Sequence, residues 1–217
     1  MRARFTLAEV QAAALGIVDG DGLPGLSMRS LAAALGTGPM TLYNYVRNRE
    51  SLEDLVAEAV IADVEVPPAS GDWVDDVRSI ATAVWQAVRN HPNAIPLVLT
   101  RRTTSPSSYP AAEYLIGALA RGGLSDQELL TAFRAVLSLV MGSAQVELAS
   151  QGSGPDRDAQ QREMASRIGT LAGNEHRRLA ALSEVSQRST AAHDFAGGLE
   201  LLLTGIETAN GPRCGAG

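Results

Sequence analysis

The residues best suited to chemistry lie between Leu26 and Leu52, and the chemistry they suit is recognition of a polyanion. On a helix opening at Pro39, 3.6 residues per turn set Leu42 and Val46 on one face and Met40 and Asn44 nearly opposite. An outward Asn can pair with the edge of adenine and an outward Met can touch a thymine methyl. Thr41, Tyr43 and Tyr45 fall on the flanks, where hydroxyls can hydrogen-bond phosphate oxygens and hold the helix in register. Arg29 faces outward from the preceding segment. Arg49 opens the next one, where its charge and the free N–H groups of a helix N-terminus would hold a phosphate.

These residues need a scaffold of short helices, and the sequence punctuates one. Thr6 can cap a first helix in which Leu7, Val10, Ala14, Ile17 and Val18 share a face, ending at Asp19-Gly20-Asp21-Gly22. Ser27 is placed as the cap of a second helix whose buried stripe is Leu31, Ala32 and Leu35, stopped by Gly36. After Thr37-Gly38, Pro39 suits the first position of a third helix running to about Val46. A fourth follows from about Arg49 to Val64, with Leu52, Leu55, Val56, Ala59 and Val60 inward. Two short helices around a glycine turn are what a major-groove reader requires, because one braces on the DNA backbone while the other inserts.

Pro67-Pro68 cannot continue a helix and marks the expected boundary between residues 1–66 and 67–217. Beyond it, helices are expected at roughly 73–90, 93–100, 108–121, 126–151, 157–183 with a break near Gly173, and 189–209. Loops fall at Ser105-Pro106-Ser107, Gly122-Gly123 and Gly152-Ser153-Gly154-Pro155. The helices near 126–151 and 189–209 are apolar on more than one face. Each is therefore either central in its domain or shared with a partner.

Composition agrees with an all-α chain: 45% of residues are apolar, only 4% are aromatic, and β-branched clusters are scarce. A net charge of −6 excludes DNA attraction by the whole molecule, so any contact must be local. Residues 1–49 carry Arg2, Arg4, Arg29, Arg47 and Arg49 against Glu9, Asp19 and Asp21, and the acidic excess begins at Glu50. All 18 basic residues are Arg. Cys214 is the single cysteine, which excludes an internal disulfide or a cysteine metal cluster. His91, His176 and His193 are too scattered for a metal site, and no cofactor is expected. With no apolar run of about 18 residues and no signal peptide, the chain is expected to be soluble and cytoplasmic, without a membrane partner. A Gly-rich phosphate loop, a His-Glu-x-x-His pair and a nucleophile elbow are absent from the sequence, which argues against an enzyme.

The run Met28-Arg29-Ser30-Leu31-Ala32, with Leu35-Gly36, Thr41-Leu42-Tyr43 and Asn48 to Leu52, resembles the DNA-binding domain of the TetR family of transcriptional regulators. Leu42 to Asn48 is closer to the tetracycline-repressor branch than to members with Phe at the position of Val46. Thr37 stands where Val is common, and Arg49 where Lys is usual. The resemblance implies an N-terminal helix-turn-helix DNA-binding domain and a larger C-terminal helical domain for ligand binding and dimerisation. It implies a homodimer through the helices near 126–151 and 189–209, a double-stranded operator, and a small-molecule effector. The expected DNA-contacting set is Ser27, Met28, Arg29, Gly38, Pro39, Met40, Thr41, Tyr43, Asn44, Tyr45 and Arg49. Trp85, Leu97, Leu115, Phe133 and Leu137 are the expected effector-lining residues, with plain core residues as the alternative. A transcriptional activator of the same fold, or a helical interaction protein that does not bind DNA, are the competing readings.

Overall fold

The computed structural model describes residues 5–101, 106, 109–149 and 155–210, and among them lie eleven α-helices and a 3-10 turn that precedes the sixth of these helices. The helices are α1 (Leu7–Gly25), α2 (Met28–Ala34), α3 (Pro39–Leu42), α4 (Arg49–Ala62), α5 (Trp73–Asn90), α6 (Ile95–Thr100), α7 (Tyr109–Arg121), α8 (Asp126–Ala149), α9 (Pro155–Ala172), α10 (Arg177–Ser186) and α11 (Ala191–Asn210). The 3-10 turn, Pro92–Ala94, leads into α6. The loop expected at residues 152–154, and Cys214, lie outside the described residues.

Local chemistry explains the starts and stops. Thr6 and Glu9 form a reciprocal capping pair at α1, Ser27 and Ser30 do so at α2, and Asn48 and Ser51 at α4. Gly22, at a φ of 70°, breaks α1 where the sequence predicts its end, but the chain resumes a helical turn to Gly25. Gly36, at a φ of 60°, turns the chain out of α2. The third helix is shorter than expected: regular α geometry ends at Leu42, and Tyr45 N–H bonds back to the Leu42 carbonyl in a tighter turn at 2.8 Å. Gly38 offers no side-chain cap, and Tyr, Asn, Tyr and Val are weak helix formers, so packing and tertiary hydrogen bonds rather than propensity hold this turn.

Packing divides the chain into two units, Met1–Leu129 and Leu130–Gly217. In the first, Val10, Ala14, Val18, Leu26, Leu31, Leu42, Val46, Leu52, Val56 and Val60 are fully or almost fully buried and form the core that seats α3. Polar ties carry this unit past Pro67-Pro68. The Asn93 amide donates to the carbonyls of Val18 and Asp19 at 3.1 and 3.2 Å, covering the end of the first part of α1. His91 sets Nδ1 2.9 Å from Asp19 and Nε2 3.5 Å from Asp63. Arg101, just after α6, pairs with Glu50 and Glu53 of α4 at 3.2 and 2.5 Å.

In the second unit, α8 buries Ala132, Val136, Val140 and Ala144, and α11 buries Phe195, Leu199 and Leu203. Each set follows a four-residue spacing, one stripe of a helix. Both helices also carry exposed apolar residues off that stripe, Leu130 and Val146 on α8 and Leu201 on α11. The expectation that no stretch could span a membrane is corrected, since Asp126–Glu147 is long and apolar enough by length and composition. Its second apolar face, the feature noted in the sequence, is what brings it to that threshold.

Candidate nucleic-acid interface

The capping pairs at Ser27 and Asn48 and the glycine turn at Gly36 hold α3 in a fixed seat. Leu42 and Val46 are 0% exposed, whereas Met40 is 80% and Tyr43 51% exposed, and Asn44 is also exposed. Asn44 makes one long side-chain contact, Nδ2 to the Thr41 carbonyl at 3.4 Å. Its amide is thus poised outward rather than spent. Gly38 is extended and Pro39 occupies the first helical turn, both exposed, while Thr41 is half-buried.

Around this turn the cations are of two kinds. Arg29 and Arg47 are exposed and form no ion pair with any described residue. Arg49 is exposed too, but its donors are engaged: Nη1 donates to the Leu26 carbonyl at 2.8 Å, Nη2 to Leu23 at 3.3 Å, and Nε to Glu53 at 2.8 Å. Its donors thereby staple the start of α4 to the segment before α2, a structural role beside the expected one as a phosphate ligand. The hydrogen bond from Arg49, and then the charge and hydrogen bond of Arg101, hold the Glu53 carboxyl below the usual carboxylate range. That acid stays ionised but compensated beside the outward face.

Tyr45 is engaged in the same way. It is half-buried, and its hydroxyl donates to the Phe5 carbonyl at 2.7 Å while accepting from the Phe5 N–H at 3.0 Å. A hydroxyl so engaged holds the protein's own chain rather than a phosphate. Ser27 likewise caps α2, its Oγ accepting from the Ser30 N–H at 3.0 Å, and Met28 is half-buried in the first turn. The structure thus brings Arg29, Gly38, Pro39, Met40, Tyr43 and Asn44 to the surface and turns Tyr45 and Arg49 to support. Sequence reasoning missed the exposed Arg47 and the Arg101–Glu53–Arg49 chain, whose members are up to 52 positions apart and leave no local pattern.

Of the expected effector-lining residues, Trp85, Leu97 and Leu115 are buried in the first unit, with the Arg89 guanidinium 5.1 Å from the centre of the Trp85 ring. Phe133 and Leu137 are half-buried on α8 in the second unit. A groove of about 380 Å³ in that unit is lined by other residues, among them Leu139, Val146, Glu147, Gln161 and Phe195.

Comparison with known proteins gives this geometry its context. Residues 67–210 match the family model described as the tetracyclin repressor-like, C-terminal domain. The chain is 32% identical over 97% of its length to the HTH-type transcriptional repressor DrrR1 of Streptomyces coeruleorubidus, covering 80% of that protein. It is 28% identical over 68% of its length to the class E tetracycline repressor protein of Escherichia coli, covering 71% of it. Among solved structures, apo ActR from Streptomyces coelicolor superposes with a TM-score of 0.82 at 27% identity, over 97% of this chain and 99% of that one. ActR has also been solved in complex with actinorhodin, again at a TM-score of 0.82, 27% identity and the same coverage. A surface helix-turn-helix, regular elements that are all helical among the described residues, and relatives of this kind across almost its full length make this protein a member of the TetR family of transcriptional regulators.

Proposed function

We propose that this chain is a dimeric, ligand-responsive repressor whose α3 turn reads the major groove of a near-palindromic operator. The observation that carries the reading is the division of one short turn, with Leu42 and Val46 fully buried and Met40 and Asn44 presented outward. Arg29, Arg47, Tyr43 and the backbone at Gly38-Pro39 supply positioning contacts to phosphate, and Met40 and Asn44 read base edges. A functional boundary at residues 66/67 separates this reader from the segment that senses the effector.

The second copy covers the outer apolar faces of α8 and α11, at Leu130, Val146 and Leu201, as a four-helix contact between subunits. Two recognition turns then lie one DNA turn apart, about 34–36 Å. An effector bound by the segment after residue 66 favours a spacing that no longer fits, so release from DNA is a population shift. Relatives support the chemistry of this step: ActR binds actinorhodin and (S)-DNPA in solved complexes. Solubility and a cytoplasmic location follow from the same reading.

The test is a mobility-shift titration of the purified protein on the region upstream of its own gene. Two subunits per duplex, binding that weakens steeply with salt, and loss of sequence preference in Asn44→Ala support the proposal. Failure to select any inverted repeat overturns it.

A further inference from the structure

His91 lies between two carboxylates that belong to two different helices of the first unit. Its Nδ1 is 2.9 Å from Asp19, on α1, and its Nε2 is 3.5 Å from Asp63, which caps the end of α4. The ring is largely buried, with its side chain 15% exposed. A carboxylate only accepts, so the short contact to Asp19 requires a proton on Nδ1 in either charge state of the ring. The nitrogen that gains or loses a proton is therefore Nε2. That atom is shielded from solvent and has no hydrogen bond to a described residue. Protonated, it attracts Asp63; deprotonated, it sets a lone pair against a carboxylate.

The surrounding elements bring no rival charge to the ring. The turn that follows His91, Pro92–Ala94, packs on α1, α4, α5 and α6. On α1, Asp21 is exposed, and on α4 the Glu58 carboxylate accepts from Gln11 at 3.0 Å. On α5, the Arg89 guanidinium lies over the Trp85 ring. Ile95–Thr100, which forms α6, carries no titratable side chain. Among the described residues, His91 forms ion pairs with Asp19 and Asp63 only.

The place of this ring in the fold gives its proton a consequence. The segment from His91 to Arg101 is tied to α4 at both ends. At one end Arg101 pairs with Glu50 and Glu53, in the first two turns of α4, and a guanidinium keeps its charge throughout the neutral range. At the other end the tie to Asp63 depends on one proton. Helices α1 and α4 supply Val10, Val18, Val56 and Val60 to the core that seats α3. Tying their ends fixes that seat before DNA arrives, which lowers the ordering cost of binding.

We propose that His91 is a proton-dependent clasp: as imidazolium it joins Asp19 to Asp63, as neutral imidazole it releases Asp63, and operator affinity falls as pH rises. The proposal rests on the DNA-binding reading above. Imidazole is the side chain whose ordinary change of charge lies between about pH 5 and 8, where carboxylates and guanidinium groups keep theirs. The proton thus acts on one end of the 91–101 segment and leaves the Arg101 end engaged.

The experiment measures affinity for the inverted repeat that wild type selects, by fluorescence anisotropy from about pH 6 to about pH 8, for wild type, His91→Gln and Asp63→Asn. The Asp63 side chain is 62% exposed, so removing its charge should leave the fold intact. Wild type is expected to lose about twofold to fivefold in affinity per subunit across this range beyond any change in His91→Gln, the scale of one partly exposed charged pair. Asp63→Asn is expected to follow the His91→Gln profile. Nitrogen–proton correlation spectra of the ring, recorded without DNA, should show Nε2 losing its proton over the same range while Nδ1 keeps its own. Equal profiles for wild type and His91→Gln, a wild-type profile retained by Asp63→Asn, or a ring that gives up the Nδ1 proton instead, each overturn the proposal and leave operator binding intact. A wild type that selects no duplex overturns the DNA-binding reading and this proposal with it.

Discussion

Arg49 and Leu26 are joined by a 2.8 Å hydrogen bond from Nη1 to the carbonyl just before the cap of α2, so the start of α4 fixes the residue from which the helix-turn-helix begins. Arg101 extends the chain, because Glu53 accepts from Arg49 with one oxygen and from Arg101 with the other. A displacement at the end of α6 is thereby passed to the base of α2 through charged hydrogen bonds, and not through the apolar core alone.

Arg49→Ala is expected to weaken operator binding through the fold. The side chain is more than half exposed, so its charged hydrogen bonds are worth only about 1 kcal/mol. Calorimetry should find a lower thermal midpoint, while the salt slope of DNA binding stays at the wild-type value. A slope reduced by about 0.9 per subunit with an unchanged midpoint would instead make Arg49 a phosphate ligand.

Met40→Ala and Asn44→Ala are expected to act in the opposite way. Both side chains face solvent, so thermal stability should not change. Each should cost about 1–3 kcal/mol in discrimination at one base pair per half-site. Binding to a panel of single-base operator variants checks this: a uniform loss across the panel would assign these residues to the backbone.

The elements were legible where side chains declare them locally. Thr6, Ser27 and Gly36 fall where the structure caps and stops α1 and α2, and the inward pair Leu42 and Val46 follows from helical spacing alone. The length of α3 did not follow, because four residues of tight turn and four of regular helix differ in hydrogen bonding that composition barely records. The contacts that Tyr45 and Arg49 make within the fold were not legible for a related reason. Both are polar groups on the correct side of the helix, but their partners, Phe5 and Leu26, are 40 and 23 positions away. Long-range hydrogen bonds decide whether such a group is offered to a ligand or consumed by the fold.

Asp76 supplies a prediction in pH. Its side chain is buried, accepting from the Ser70 N–H at 2.7 Å and the Ser70 hydroxyl at 2.8 Å, with Arg121 on its other oxygen. The Ser70 N–H above all, with the hydroxyls of Ser70 and Tyr114 and the charge of Arg121, holds its carboxyl below the ordinary range. A depressed carboxyl contributes stability that is complete above its unfolded value, about 3.9, and is lost as pH falls through the lower folded value. Asp76→Asn should therefore lie below wild type in thermal midpoint by a constant amount from pH 7 to about pH 5. The gap should narrow below about pH 4. A gap that stays constant down to pH 3 would remove the charge of Asp76 from the account.

The subunit contact is tested at Leu201, which is 79% exposed although its helix neighbours Leu199 and Leu203 are each 1% exposed. An isolated exposed Leu is ordinary, but here it lies on a helix that already buries one complete stripe, and α8 also carries exposed apolar residues off its stripe, Leu130 and Val146. Leu201→Glu changes nothing inside the unit and sets a charge on the face assigned to the second copy. Sedimentation should then find a monomer with wild-type helix content. Affinity for the full inverted repeat should fall toward that for an isolated half-site, since the second turn is no longer delivered by the first. A Leu201→Glu protein that remains dimeric and binds the repeat as wild type does would move the subunit contact to another face.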